Sequence, residues 1–327
     1  MRGRFQRAPS IVPPVFGPAE PRRPDREVQR PGGHGQWKRV RPYTACMRVR
    51  LVDVPYDCGQ FNVRMGAGPV FLIARGLEES LSRAGHHVRT DTVRLAPGFH
   101  TEWDALAALQ GQIATAVKSA MAADERALVL SGNCAPAALG AVAALGSRST
   151  AVCWFDAHGD FNTPETSPSG FVDGMALAIV TGHCWRMAVS RLEAFDPVPE
   201  EHVVQVGVRS TDPDEKDRLQ RSRVTCLAGE GDRLSGFLQR LPGATALYLH
   251  VDLDVIDSAE LHANSYAGPG GLGVDQVIGL IRTAGRHLPV AAASLTALDP
   301  GCDGERAWPV VERIAHALAG LPTSSGD

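Results

Sequence analysis

The chain has 327 residues, 44% hydrophobic and 21% charged, with 33 Lys+Arg against 36 Asp+Glu and a formal net charge of −3. That balance leaves no basic footprint for nucleic acid, no apolar run near the roughly 20 residues of a membrane span, and ample material for one large α/β core. Cys46, Cys58, Cys134, Cys153, Cys184, Cys226 and Cys302 are scattered without a CxxC pair, which argues against a disulfide framework or a zinc knuckle and fits a reducing, cytoplasmic setting.

Residues 1–46 stand apart. They are rich in Pro and Arg, carry ten Lys+Arg against three Asp+Glu, and show no apolar periodicity. Such a segment buries too little to offset its ordering entropy, and its prolines forbid an amphipathic transit helix. A disordered extension is expected there, with Met47 a candidate initiator. A single domain is expected over 47–322 and a short tail over 323–327.

From Met47 onward, short apolar runs alternate with helical stretches. "RVRLVDVPY" reads as a strand, residues 70–84 as a helix, "HHVRTDTVRL" as a strand and residues 103–123 as a long Ala-rich helix. "RALVLSG" is a strand followed by a helix over 136–145, and "STAVCWFDAHGD" is a strand running into a loop. Strands follow in "HVVQVGVRS", "RVTCLAG", "TALYLHVDLDV" and "VAAASLTAL", with helices from 214, over about 231–240, over 274–286 and over 305–319. The alternation predicts right-handed βαβ units and a three-layer α/β/α fold with a mainly parallel sheet of about eight strands. Ligands of such sheets bind beyond the carboxyl ends of the strands.

Chemistry-bearing residues collect at those ends. In "HVDLDVID", Asp252 and Asp254 close an apolar strand; strand alternation would set them on one face, about 6.6 Å apart. Asp156, His158 and Asp160 follow another strand at the same spacing. A lone pair of this kind is more often a helix cap or solvated acids. Two sets at the ends of two strands of one sheet instead suit a hard or borderline dication, because carboxylates packed together repel and resist desolvation. Carboxylates with one imidazole favour Mn²⁺ or Fe²⁺ over a structural Zn²⁺.

Over roughly residues 48–320 the chain resembles the ureohydrolases, the family of arginase, agmatinase and formimidoylglutamase, which share their fold with the deacetylases. The resemblance is carried by "WFDAHGDFNTPETSPSGFVDG", "HVDLDVID", "VGVRSTDPDE" and "YDCGQFNVRMGAGP", in order and at matching spacing. It implies two Mn²⁺ ions per chain, bridged by Asp156 and Asp252, with His158 and Asp254 on one ion and Asp160 on the other. It implies a bridging water activated as hydroxide to attack an sp² carbon bearing nitrogen. Asn162 and Ser169 match positions that contact a substrate carboxylate, and Asp212 one that contacts an amino group. Asn264 and Tyr266 are further pocket candidates. A homotrimer or hexamer and a small guanidino or amidine substrate are also implied.

The sequence departs from the family pattern at three points. "SGNCA" stands where the family has "GGDHS", so Cys134 takes the position of a His ligand. It either binds as thiolate, favouring Zn²⁺, Fe²⁺ or Co²⁺, or is a small buried residue. Asp173 replaces the proton-shuttle His, so His158, Asp160 and Asp173 are the catalytic candidates. Ala297, in "LTALDPG", stands where arginase-like members place a Glu against the substrate guanidinium. Plain arginine is therefore disfavoured, and N-hydroxyarginine or a related neutral amidine is the expected substrate. A formimidoylglutamase- or agmatinase-type activity, a catalytically impaired metal-binding homologue and a deacetylase-like single-metal site are the alternatives. His250 reads as a satisfied core residue or a partner of the ligands, and Trp154, Phe155 and Phe161 as packing.

Overall fold

Apolar runs buried on both faces must return to the same sheet edge through crossovers, and the chain obeys this throughout. The computed structural model describes residues 46–98, 101–192, 195–241 and 243–321. The expected extension over 1–46, apart from Cys46, and the tail over 323–327 lie outside the described residues.

Besides a two-stranded antiparallel ribbon of Tyr56–Asp57 and Gln60–Phe61, the strands are β1 (Arg48–Val54), β2 (His87–Thr92), β3 (Arg126–Ser131), β4 (Thr150–Phe155), β5 (Val203–Val206), β6 (Thr225–Leu227), β7 (Ala246–Asp252) and β8 (Val290–Thr296). They form one 8-stranded sheet in the order β2-β1-β3-β8-β7-β4-β5-β6, with every neighbouring pair parallel. The expected parallel sheet and strand count are borne out.

Helices α1 (Ala67–Ala74), α2 (Leu77–Arg83), α3 (Glu102–Ala122), α4 (Cys134–Leu145), α5 (Ala176–Val180), α6 (Pro213–Arg221), α7 (Gly231–Gln239), α8 (Val274–Gly285) and α9 (Trp308–Ala319) cover the sheet. Alternate residues of each strand point to opposite faces. Leu128, Leu130, Leu249 and Val251 pack with α1, α2, α7, α8 and α9, whereas Val129, Val152, Trp154 and Tyr248 pack with α3, α4 and α5. Each fully buried Leu or Val contributes roughly 1.5–3 kcal/mol. Among the described residues no helix is long and apolar enough to cross a membrane.

Two helix expectations need correction. The single helix over 70–84 is broken at Gly76, whose φ of 85° ends α1 and lets the chain turn into α2. The last helix begins at Trp308 rather than 305, after a 3-10 turn over Gly304–Ala307.

Candidate metal centre

The sheet register gathers the site. Phe155 of β4 pairs with Val251 of β7, so the next residues, Asp156 and Asp252, leave the sheet side by side. Thr296 of β8 pairs with Asp252 on one side and with Ser131 of β3 on the other. The turn carrying Asn133 and Cys134, the Thr296–Ala297 step, and both acidic motifs thus line one carboxyl edge. Gly132 permits this crowding: a Cβ there would lie 2.4 Å from the Tyr56 carbonyl oxygen.

The expected strand alternation of Asp252 and Asp254 does not occur. β7 ends at Asp252, and Leu253–Val255 forms a 3-10 turn. Asp252 Oδ1 accepts the Asp254 N–H at 2.8 Å, and this cap folds the second carboxylate back toward the first motif. His158 Nδ1 lies 3.2 Å from Asp254 Oδ2 and 3.5 Å from Asp156 Oδ1. Asp156 also accepts the His158 N–H at 2.7 Å and the Trp154 indole N–H at 3.0 Å. Trp154, read as packing from the sequence, therefore orients a carboxylate of the cradle. Asp160 has a left-handed φ of 49°; its carbonyl accepts the N–H groups of Leu177 and Ala178 at 2.9 and 3.0 Å.

Asp156, Asp160, Asp252 and Asp254 are all buried. Burial, then mutual repulsion, pushes Asp156, Asp160 and Asp252 above the ordinary carboxylate range. Burial also works against Asp254, but its contact with His158 holds it below that range. Burial opposes the His158 imidazolium too, yet hydrogen bonds to Asp156 and Asp254 outweigh it and hold the pKa up at about 12.

Cys134 is buried at the start of α4. Its thiol donates to Asp252 Oδ2 at 3.2 Å and lies 3.3 Å from Thr296 Oγ1. Burial first, and Asp252 next, keep that thiol well above its usual range. His250 is fully buried and stacks on Trp154 at 3.8 Å between ring centroids. Its Nδ1 lies 2.9 Å from Ser294 Oγ and 3.1 Å from the Tyr248 hydroxyl, and its Nε2 3.4 Å from Thr296 Oγ1. Burial lowers its pKa to about 3, so the ring is neutral.

Asp173 Oδ1 accepts the Ala135 N–H at 2.8 Å, and its Oδ2 accepts the Cys134 N–H and Asn133 Nδ2, both at 3.0 Å. Burial outweighs these donors and raises its pKa to about 7. Asn162 Nδ2 donates to Asp212 Oδ2 at 2.9 Å. Asp212 caps α6 through a reciprocal capping box with Glu215. Glu215 also accepts the Phe161 N–H at 2.8 Å, bracing the loop that follows β4. The sequence reading missed Glu215, although the Asp-x-x-Glu spacing of "DPDE" signals such a box. Ser169 is exposed and accepts the Phe171 N–H at 3.2 Å.

These groups surround a cavity of about 260 Å³, lined by His158, Asp160, Asp252 and Asp254 and by Asn162, Ser169 and Asp212. Phe171, Tyr266 and Ala297 complete the wall. Phe171 and Tyr266 stack at 6.1 Å. Asn264 Nδ2 bridges Asp254 Oδ2 at 3.3 Å and the Ala297 carbonyl at 2.9 Å.

The family model described as "Arginase family" matches residues 47–320. The chain belongs to the arginase family. It is a hydrolase of the ureohydrolase type, acting on non-peptide C–N bonds of linear amidines. The arginase of Bacillus caldovelox is 30% identical over 247 residues, covering 68% of this chain and 81% of that protein. The N(omega)-hydroxy-L-arginine amidinohydrolase of Streptomyces lavendulae is 27% identical over 253 residues, covering 75% and 87%. The structure of Entamoeba histolytica arginase in complex with L-ornithine superposes with a TM-score of 0.73 at 21% identity, over 84% of this chain and 98% of that one, which shows the shared fold.

The side chains of this arginase-family member fit divalent cations. One donor atom each of Asp156, His158 and Asp254 lie within 4.8 Å of one another, as do one each of Cys134, Asp156 and His250, with Asp156 common to both groups. Packed together, Asp156 and Asp252 are pushed toward protonation and His158 toward keeping its proton, a crowding that bound cations would relieve.

Proposed function

We propose that this arginase-family chain hydrolyses the C–N bond of an amidine bearing little positive charge, an N-hydroxyguanidino amino acid such as N-hydroxyarginine, with two divalent cations, Mn²⁺ being the expected metal. The observation that carries this reading is the state of the cavity's carboxylates. Outside the cradle these are Asp173, Asp212 and Glu215. Each already accepts hydrogen bonds from the protein: Asp173 from α4 and Asn133, Asp212 from Asn162 and α6, and Glu215 from Phe161 and Asp212. Ala297 adds no charge. Every cavity carboxylate outside the cradle is thus already engaged by protein donors and position 297 supplies none, so a buried guanidinium would be less fully paired there, at a cost that a neutral group avoids.

In this reading Asp156 and Asp252 would contribute to both ions, His158 and Asp254 would hold one, and Asp160 and Cys134 would hold the other. Bound cations would lower the pKa of a shared water from about 15.7 toward about 7 and so supply the nucleophile. The chain's own part is to place the substrate and handle protons. Asn162 and Ser169 would receive the substrate carboxylate, and Asp212 its amino group. Asp173 borders the cavity with a pKa of about 7, suited to exchanging a proton near neutrality. The relative from Streptomyces lavendulae, named for N-hydroxyarginine, supports the substrate class.

Metal analysis after chelation and reloading tests the centre. About two ions per chain, with hydrolysis of N-hydroxyarginine restored by Mn²⁺, is the expected result. Hydrolysis that survives full chelation would overturn it.

A further inference from the structure

Position 134 lacks the imidazole that the family pattern places there, and the structure sets another imidazole beside it. His250 precedes Asp252 by two residues on β7, so both side chains share one side of the strand. In the register His250 sits between Trp154 and Ser294. Trp154 stacks on the ring and fixes its plane, and Ser294 Oγ and the Tyr248 hydroxyl engage Nδ1. A ligating histidine is commonly held in this way, one nitrogen anchored by a partner and the other free to bind. Among the described residues Nε2 has one long hydrogen-bond contact, 3.4 Å to Thr296 Oγ1, and that hydroxyl lies 3.3 Å from Cys134 Sγ. Trp154 ties the two halves together, stacking on His250 while its indole N–H holds Asp156.

We propose that Cys134, Asp156 and His250 together hold one of the two cations, so that the imidazole missing from position 134 is supplied from position 250. The proposal rests on the metal-centre reading above and adds a ligand to it. Zn–S and Zn–N bonds of about 2.3 and 2.0–2.1 Å place neighbouring donors roughly 3.5 Å apart. The donors here lie within 4.8 Å of one another, so a contraction of about 1 Å closes the site. On binding, the thiol proton now donated to Asp252 leaves to solvent, and the Thr296 hydroxyl, released from Nε2, hydrogen-bonds the thiolate. The two sites become chemically unequal. The Asp156–His158–Asp254 site is oxygen-rich and suits Mn²⁺. The Cys134–Asp156–His250 site is softer and suits Zn²⁺, Co²⁺ or Fe²⁺.

The test is a Co²⁺ titration of the chelated full-length protein, read by absorption and calorimetry. Two ions of unequal affinity are expected, one of them giving a sulfur-to-cobalt charge-transfer band in the near ultraviolet. Cys134→Ser should abolish the band. His250→Leu should weaken binding of that ion at least tenfold and leave the other unchanged, while Asp254→Asn should do the reverse. X-ray absorption of the wild type covers the case in which His250→Leu fails to fold: averaged over both ions, it should count one imidazole per ion. Two ions with no sulfur band, or half an imidazole per ion from His158 alone, would overturn this inference and leave the two-metal reading standing. Failure to bind any Co²⁺ would overturn both.

Discussion

The carboxylate of Asp173 caps the helix that presents Cys134, with Oδ2 accepting the Cys134 N–H at 3.0 Å and Oδ1 that of Ala135 at 2.8 Å. Exposed α4 amides and a lost favourable charge at a helix N-terminus together set the effect of removing it. Asp173→Ala should destabilise the fold by about 0.5–2 kcal/mol in urea denaturation. Asp173→Asn, which keeps one acceptor, should lose less stability. If Asp173 also carries a proton, the Asn variant should flatten the pH dependence of kcat near pH 7 while KM changes little.

The same residue gives the metal-free protein an unusual pH response. Its folded pKa, raised by burial to about 7, exceeds the ordinary unfolded value of about 3.9. Between those values the native state binds more protons than the unfolded state, so this group's stabilisation is full at low pH and is lost as pH rises through 7. Asp156, Asp160 and Asp252 shift in the same direction, and Asp254 opposes them. Thermal melts of chelated protein should show higher stability at pH 5.5 than at pH 7.5. Asp173→Asn should reduce the difference, and added divalent metal should remove it by replacing the protons at neutral pH.

Trp154→Phe isolates the indole hydrogen bond. The ring still covers His250, but the buried Asp156 oxygen loses its 3.0 Å donor. Groups that orient ligands in this way typically account for roughly 10- to 100-fold in metal affinity. A loss in that range is expected by calorimetry, together with a lower unfolding midpoint of the metal-free protein, because the smaller ring leaves a void where a fully buried indole was.

Gly159 is fixed by Glu215. A Cβ at 159 would lie 2.5 Å from Glu215 Oε1, the atom that accepts the Phe161 N–H. Gly159→Ala should therefore destabilise the metal loop by about 1–3 kcal/mol. Made in a Glu215→Ala background, the same change should add little, because the clash is gone; the double-mutant cycle measures this coupling directly.

Strand-end acids were legible in the sequence because sheet periodicity and the rule for open α/β sheets place them without knowledge of distant contacts. What was not legible depends on pairing between remote segments. The turn that returns Asp254 to His158 is a local cap overriding strand alternation at the end of β7. The bond from Trp154 to Asp156 joins residues close in sequence, but the ring's stacking on His250 follows only from the β4–β7 register. Thr296 meets Cys134 across 162 residues. The break at Gly76 was readable as a glycine near a helix end, yet apolar periodicity runs through it.

The proposed preference of this arginase-family site for a group of low charge is tested by the kcat/KM of one Mn²⁺-loaded preparation for N-hydroxyarginine and for arginine. N-hydroxyarginine should be favoured by roughly tenfold or more, about 1.4 kcal/mol in transition-state stabilisation. Ala297→Glu should narrow that ratio by restoring a counter-charge to the cavity wall. Arginine or agmatine turned over as fast as the hydroxylated substrate would contradict the claim.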